Sequence, residues 1–366
     1  MLYYIFYPLR EFFFGFNVFR YITFRAAFAA LTSMVLTLFL GPFIIKKLYE
    51  MKIGQNIRKE DCLPLYALHK SKEGTPTMGG LLIVIVVVLS TILWADIFNE
   101  YVIVVVLSII WFGGIGFLDD YLKLKRHSSK GLTAREKFLA QTIGAFAVAL
   151  YFIYSPNTRD FATVIYLPFM KSPIIKDLGI LYLLFIVFIV TGASNAINLT
   201  DGLDGLATGC IIIAMLAFTV MSYVVGHIKF ADYLHIQHIA QAGELAVFCS
   251  AVVGAGLGFL WYNSYPAQVF MGDTGSLALG GTIGVVAVLI KKELYLPVVG
   301  GVFVFEAISV ILQVTSFKLR KKRIFAMAPF HHHLEMKGWP ETKIVVRLWI
   351  IAIIFALLGL SSLKLR

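Results

Sequence analysis

Apolar blocks about twenty residues long recur along the whole chain, and each is about the length that carries a helix across the ~30 Å hydrocarbon layer of a bilayer. No other feature constrains the fold as strongly. Hydrocarbon offers no water to a backbone N–H or C=O, so a spanning segment must satisfy its own polar groups as a helix. Composition agrees: of 366 residues, 59% are hydrophobic and 14% charged, against ~25% charged in soluble domains. A soluble globule of this size is excluded. The fold expected is an all-α polytopic integral membrane protein, one transmembrane domain over 1–366.

Runs bounded by charge or by Pro and Gly give ten candidate spans, near 22–45, 78–96, 101–118, 137–155, 178–196, 206–226, 243–262, 275–290, 295–317 and 345–363. The fifth is the hardest to end, because it flows into Ser194, Asn195, Asn198 and two aspartates, and the ninth carries Glu306 and Gln313. No repeat of fixed period and no soluble domain boundary interrupts them. Cys62, Cys210 and Cys249 sit at no metal spacing and form no even set, so neither a disulfide framework nor a zinc motif organises the chain. The stretch MLYYIFYPLREFFFGF has no basic segment ahead of a clean apolar run and a small-residue cleavage site, so no removable signal peptide is expected.

The net charge of +11 is distributed by side: the odd-numbered loops hold twenty Lys and Arg, the even-numbered six. Under the positive-inside rule the odd loops are cytoplasmic and, with ten spans, both termini lie outside. The basic excess then belongs to the membrane face, and no nucleic-acid partner is expected. Topology alone would account for these cations, but two odd loops contain none. They read NLTDGLDG (198–205) and YNSYPAQVFMGDTGS (262–276), rich in acid, amide and turn residues where a connector needs only a short polar turn.

Four constellations and a basic turn share that predicted side. Asp119 and Asp120 end the third span; neighbours on a helix diverge by ~100°, so only one is expected to point squarely into a cleft. A helix-end pair neutralised by Lys123, Lys125 and Arg126 would look the same. Asp201 and Asp204, three apart among Asn198, Gly202 and Gly205, share a face if helical, although turn chemistry also explains them. Asp273, before a helix of small residues, is either an N-cap or a hard oxygen ligand for a divalent ion such as magnesium. His331, His332 and His333 are not at a zinc spacing, since consecutive side chains cannot all reach one ion; a hydrogen-bonding cap for phosphate or sugar fits better than a metal site. Lys70 to Gly80 offers Lys, Thr and accessible Gly backbone suited to phosphate, or merely a juxtamembrane turn. Together, carboxylates ready for a metal and cations ready for phosphate at one membrane surface meet the physical needs of phosphoryl transfer between a soluble anionic substrate and a lipid phosphate. A secondary transporter is the alternative from another class, but its acids belong at midplane in broken helices, and most of these lie at span ends.

GTPTMGG (74–80), GFLDDYLK (116–123), NLTDGLDGL (198–206), MGDTGS (271–276) and PFHHHLE (329–335) closely resemble the phospho-N-acetylmuramoyl-pentapeptide-transferases, bacterial membrane enzymes that make the first lipid intermediate of peptidoglycan. The resemblance implies a magnesium-dependent reaction of UDP-N-acetylmuramoyl-pentapeptide with undecaprenyl phosphate, giving the lipid-linked phosphosugar and UMP. It also implies a homodimer in the bacterial cytoplasmic (inner) membrane. By position, Asp119 and Asp120 match the family's catalytic pair and Asp273 its magnesium ligand. Lys70, Thr75, Asn198, Asp201, Asp204, Asn263, Phe270 and Gln313 match positions lining the nucleotide cleft, with Phe270 suited to stacking on uracil. His331, His332 and His333 match the signature of the muramoyl branch, which the related N-acetylhexosamine-1-phosphate transferases lack. Lys123 and Lys137 are implied as diphosphate or acceptor contacts, with Lys130 and Arg135 competing for the role. The stretch EDCLPLYALHK (60–70) departs from the more polar, glycine-containing family pattern, which puts the local loop shape in doubt.

Overall fold

A computed structural model of the chain describes residues 1–51, 72, 74–126, 131–170 and 172–364. The ten apolar runs are ten helices: α1 (Ile22–Glu50), α2 (Gly80–Trp94), α3 (Glu100–Lys125), α4 (Ala134–Tyr154), α5 (Leu181–Thr200), α6 (Leu206–Gly226), α7 (Leu245–Asn263), α8 (Gly272–Leu289), α9 (Gly301–Arg320) and α10 (Glu341–Ser361). Among the described residues nine segments are long and apolar enough to cross a membrane, and α2 is shorter. At 15 residues α2 rises only about 22 Å, less than the span expected over 78–96. The reason is visible at its start. Met78 has φ 70°, and the N–H groups of Gly79 and Gly80 donate to the carbonyls of Phe270 and Met271 at 2.9 and 2.8 Å. Phe270 N–H returns a bond to Pro76 O at 2.8 Å, so the backbone that leaves the helix is satisfied by the segment leading into α8. The ninth run likewise divides at Gly300 into a short helix Leu296–Val299 and α9.

Local signals set several helix ends. Asn99 caps α3 by accepting from the N–H groups of Tyr101 and Val102. Thr133 and Glu136 form a reciprocal capping box at the start of α4, which fixes where Lys137 leaves the helix. α5 continues through its polar residues to Thr200, and Asp201–Gly205 is a turn, so Asp201 and Asp204 do not share a helical face.

Helix α8 is the axis of the bundle. Every residue from Thr274 to Leu289 is buried, and the helix packs most extensively on α3 and α5. Small residues make that approach feasible. At Gly116 of α3, a Cβ would stand 2.1 Å from the Asp273 carbonyl oxygen. Successive helices alternate in direction, so the ends of α3, α5, α7 and α9 meet the starts of α2, α4, α6, α8 and α10 on one face. The opposite face is closed by its own ion pairs. Arg25 grips Glu244 at 2.6 and 2.5 Å, and buried Lys291 holds Glu293 at 2.8 Å and the Tyr182 hydroxyl at 2.7 Å.

Gly116→Ala places its methyl group against the α8 backbone, which has no room to yield. We expect a loss of about 1–3 kcal/mol, the usual cost of overpacking, read as a lowered unfolding temperature in detergent. Gly114→Ala, where a Cβ meets nothing within 4 Å, should leave that temperature within error of the parent; equal effects at both sites would refute the close-approach account.

Candidate active site

The carboxylates of Asp119, Asp120 and Asp273 converge, each offering an oxygen within 4.8 Å of the others. Asp119 and Asp120 come from the last turns of α3 and are each 3% exposed. Contrary to the expectation that adjacent acids diverge, both serve the cluster. Lys123, one turn on, reaches back to Asp119 Oδ2 at 2.5 Å and Asp120 Oδ1 at 3.4 Å. The chain folding over the helix end brings Leu132 N–H to Asp119 Oδ1 at 2.8 Å. Asp120 Oδ2 accepts from the Thr274 N–H at 3.0 Å and its hydroxyl at 2.9 Å, which pins the end of α3 to the start of α8.

Asp273 lies in the first turn of α8, after Met271 as the N-cap, so it is not itself the cap. The preceding Gly272 has φ +71°, and a Cβ there would press on Thr77 Oγ1 and Asp120 Oδ2 at 2.7 and 2.8 Å. The helix N-terminus favours the Asp273 charge. So do its partners: Lys123 at 2.7 Å, Lys137 at 2.9 Å and the Asn198 amide at 2.6 Å. Asn198 also donates to Ser276 Oγ at 2.8 Å. Of the competing cations in 130–137, Lys137 makes this contact and Arg135 is exposed; Lys130, like Lys70, lies outside the described residues.

A second network lies on the same face. Lys72 bonds Asp204 Oδ1 and Glu341 Oε1, both at 2.6 Å, and Glu341 also accepts from the Asp204 N–H at 2.7 Å. Asp204 Oδ2 takes the Ala267 N–H at 3.0 Å. Thus four segments, including the start of α10, are tied through two carboxylates, those of Asp204 and Glu341. Half-buried Asp201 stands beside them. Burial, followed by the charges of Asp273, Asp120 and Asp204, pushes its carboxyl up to about 7.

The three histidines separate as expected, each to its own partner. Nδ1 of His331, fully buried, lies 3.2 Å from Glu306; Nδ1 of His332 lies 2.6 Å from Glu335. His333 Nδ1 accepts the Ala326 N–H at 3.0 Å, and burial and the Lys337 charge hold its pKa below the usual histidine value, in keeping with an acceptor ring. His331 Nε2 abuts Gly202, where a Cβ would fall 2.2 Å away, so the histidine segment packs on the Asp201–Gly205 turn.

Other positions named from the sequence are structurally engaged. Asn263, 2% exposed, accepts from Thr208 at 2.8 Å and donates to Val269 O at 2.9 Å, bracing the loop 264–269. Gln313 accepts from the N–H groups of Ile324 and Phe325 and donates to Phe325 O, so it clasps the loop after α9. Phe270 is half-buried and paired through its backbone with Pro76 and Gly79, while Thr75 donates its N–H to Lys72 O at 3.1 Å. Sequence reading gave no role of their own to Thr77, Thr274, Ser276 and Glu335, although they lie in GTPTMGG, MGDTGS and PFHHHLE, and it missed Glu341, which lies in no motif.

Comparison with known proteins shows the family. A family model described as glycosyl transferase family 4 matches residues 102–291. Phospho-N-acetylmuramoyl-pentapeptide-transferase signature 1 matches residues 72–84. Phospho-N-acetylmuramoyl-pentapeptide-transferases from Acidobacterium capsulatum, Koribacter versatilis and Desulfatibacillum aliphaticivorans are 52%, 51% and 53% identical, each over 100% of both chains. The chain belongs to the phospho-N-acetylmuramoyl-pentapeptide-transferase family. Within that family the Lys72–Glu341 bridge gains interest, because its lysine opens the matched signature and its carboxylate lies far outside it.

A carboxyl raised to about 7 in the fold and near ~3.9 when unfolded holds its proton more tightly in the folded state. Its contribution is therefore fully present below about pH 4 and is lost as pH rises through about 7. Asp201→Asn should remove that decline, and a stability profile between pH 4 and 8 identical to the parent's would count against the raised value.

Proposed function

We propose that the protein transfers phospho-N-acetylmuramoyl-pentapeptide from its UDP donor to undecaprenyl phosphate, forming the lipid-linked phosphosugar and UMP. The observation that carries the reading is the convergence of Asp119, Asp120 and Asp273 with Lys123 and Lys137 at one end of a membrane helix bundle. Phosphoryl transfer requires little covalent chemistry from a protein; positioning and charge neutralisation supply most of the rate.

The donor set suits a hard divalent cation. Three carboxylates offer only oxygen, their spacing lets them face one ion, and an ammonium already lies among them as a stand-in cation. We assign that ion as magnesium, held through Asp273 with Asp119 or Asp120 at hand. When bound it supplies charge neutralisation for the departing UMP phosphate. Lys137 and Asn198 orient Asp273, and Thr274 orients Asp120.

Direct attack by the lipid phosphate is the favoured scheme. Its second pKa near ~6 leaves it largely deprotonated at neutral pH, so little base strength is needed. Asp120 already accepts two hydrogen bonds on one oxygen, and Asp119 is bonded through both of its oxygens. Carboxylates so engaged are better placed to orient the acceptor than to form a covalent phosphosugar. The muramoyl reading of the donor rests on PFHHHLE, whose His331 packs on the Asp201–Gly205 turn.

Purified protein given both substrates and magnesium should release UMP and form the lipid product. Asp273→Asn should lower turnover at least about a hundredfold, beyond recovery by added magnesium. Without lipid, rapid quench should reveal no stoichiometric UMP burst; a burst with label retained on protein would establish the covalent scheme instead.

The site faces the cytoplasm and both termini the periplasm of a bacterial inner membrane, a reading supported by the twenty-to-six bias of Lys and Arg. Single cysteines replacing exposed Ser264 and Asp160, in a background lacking Cys62, Cys210 and Cys249, report on opposite faces. An impermeant thiol reagent should label position 160 in intact cells and position 264 only after lysis; the reverse pattern would invert the orientation.

A further inference from the structure

Among the described residues the cation nearest the three carboxylates is Lys123. Its Nζ lies 2.5 Å from Asp119 Oδ2, 2.7 Å from Asp273 Oδ2 and 3.4 Å from Asp120 Oδ1. Lys137 Nζ, by contrast, is bonded to Asp273 Oδ2 alone, at 2.9 Å. We propose that Lys123 is the resident counter-ion of the carboxylate cradle and is displaced when a divalent ion binds, so that metal loading releases its ammonium toward the donor's diphosphate.

The inference rests on the metal reading above and goes further, because it makes ammonium and metal occupancy mutually exclusive. A divalent ion coordinated by these carboxylates would need oxygens that Lys123 already holds, and two cations within about 3 Å of the same atoms repel strongly where water is scarce. Lys123 is the one of the two lysines with room to leave. Its side chain is 34% exposed against 17% for Lys137, and its flexible stem springs from the last turns of α3. Lys137 stays on Asp273 from the start of α4, where the capping box fixes the helix. The three carboxylates thereby keep two ammonium groups against them when no metal is present. Once metal is bound, the freed ammonium gains a use, since a nucleoside diphosphate brings the negative charge that the carboxylates no longer share with it.

Two measurements decide it. In the unaltered protein, without nucleotide, Lys123 should become several-fold more reactive to an amine-acetylating reagent when Mn²⁺ is added, as read by peptide mass spectrometry. Lys137 should change little. Second, the Mn²⁺ dissociation constant, from the free-ion EPR signal, should fall at least tenfold in Lys123→Gln and Lys123→Met and markedly less in Lys137→Gln. Mn²⁺ binding with unchanged or reduced Lys123 reactivity overturns the exchange and leaves the metal reading intact. Absence of Mn²⁺ binding by the parent and by all variants overturns the metal reading itself. The labelling arm uses the native chain, so a variant that fails to fold leaves the proposal open to refutation.

Discussion

Three carboxylates brought within 4.8 Å of one another repel, and an apolar helix bundle provides little water to screen them. Their coexistence is the constraint on which this end of the molecule depends. Two ammonium groups, an amide, two backbone N–H groups, a hydroxyl and a helix N-terminus are all directed at the cluster. Removing a single partner would leave charge buried without compensation, the costly case for ion pairs inside proteins.

The bundle meets this demand through the ends of its helices rather than their middles. A spanning helix must be apolar along its length, so ionisable groups collect at its termini, where N–H or C=O groups also remain unpaired. Alternation of direction brings the ends of α3 and α5 to the starts of α4 and α8. Asp119 and Asp120 at a C-terminal end are disfavoured by the helix dipole and are met by Lys123, whereas Asp273 at an N-terminal end is favoured by it. The close crossing at Gly116 sets the distance between the two.

All ten helices were legible in the sequence, because a hydrocarbon slab imposes a one-dimensional rule of length and polarity. The departures occurred where tertiary contacts override that rule. α2 starts late because Gly79 and Gly80 bond to the segment leading into α8, and no pattern within 78–96 announces it. The catalytic candidates were legible as acids gathered in loops on one side, but their pairings were not. That Asp119 and Asp120 both turn inward depends on Lys123 and on Leu132 returning over the helix end. That Lys72 neutralises Asp204 depends on Glu341, which is remote in sequence and carries no local motif. The capping box of Thr133 and Glu136 has a spacing that announces it, but the sequence reading did not take it up.

The histidine segment shows the same physics at work at a distance from the carboxylates. Glu306 is a fully buried acid in the membrane helix α9, and such a group requires a partner. His331 supplies it through its backbone N–H, which donates to Glu306 Oε2 at 3.3 Å, and the ring Nδ1 lies 3.2 Å from the same oxygen. This pins the short helix Phe330–Met336 to α9 at one end. Beside it, His332 is held by Glu335 and His333 by the Ala326 N–H. The His331 backbone is thus held by an acid in the membrane, the His332 ring by an acid on its own helix and the His333 ring by a backbone amide. With His331 seated against Gly202, the segment and the Asp201–Gly205 turn form one surface, so a change of shape in either is transmitted to the other.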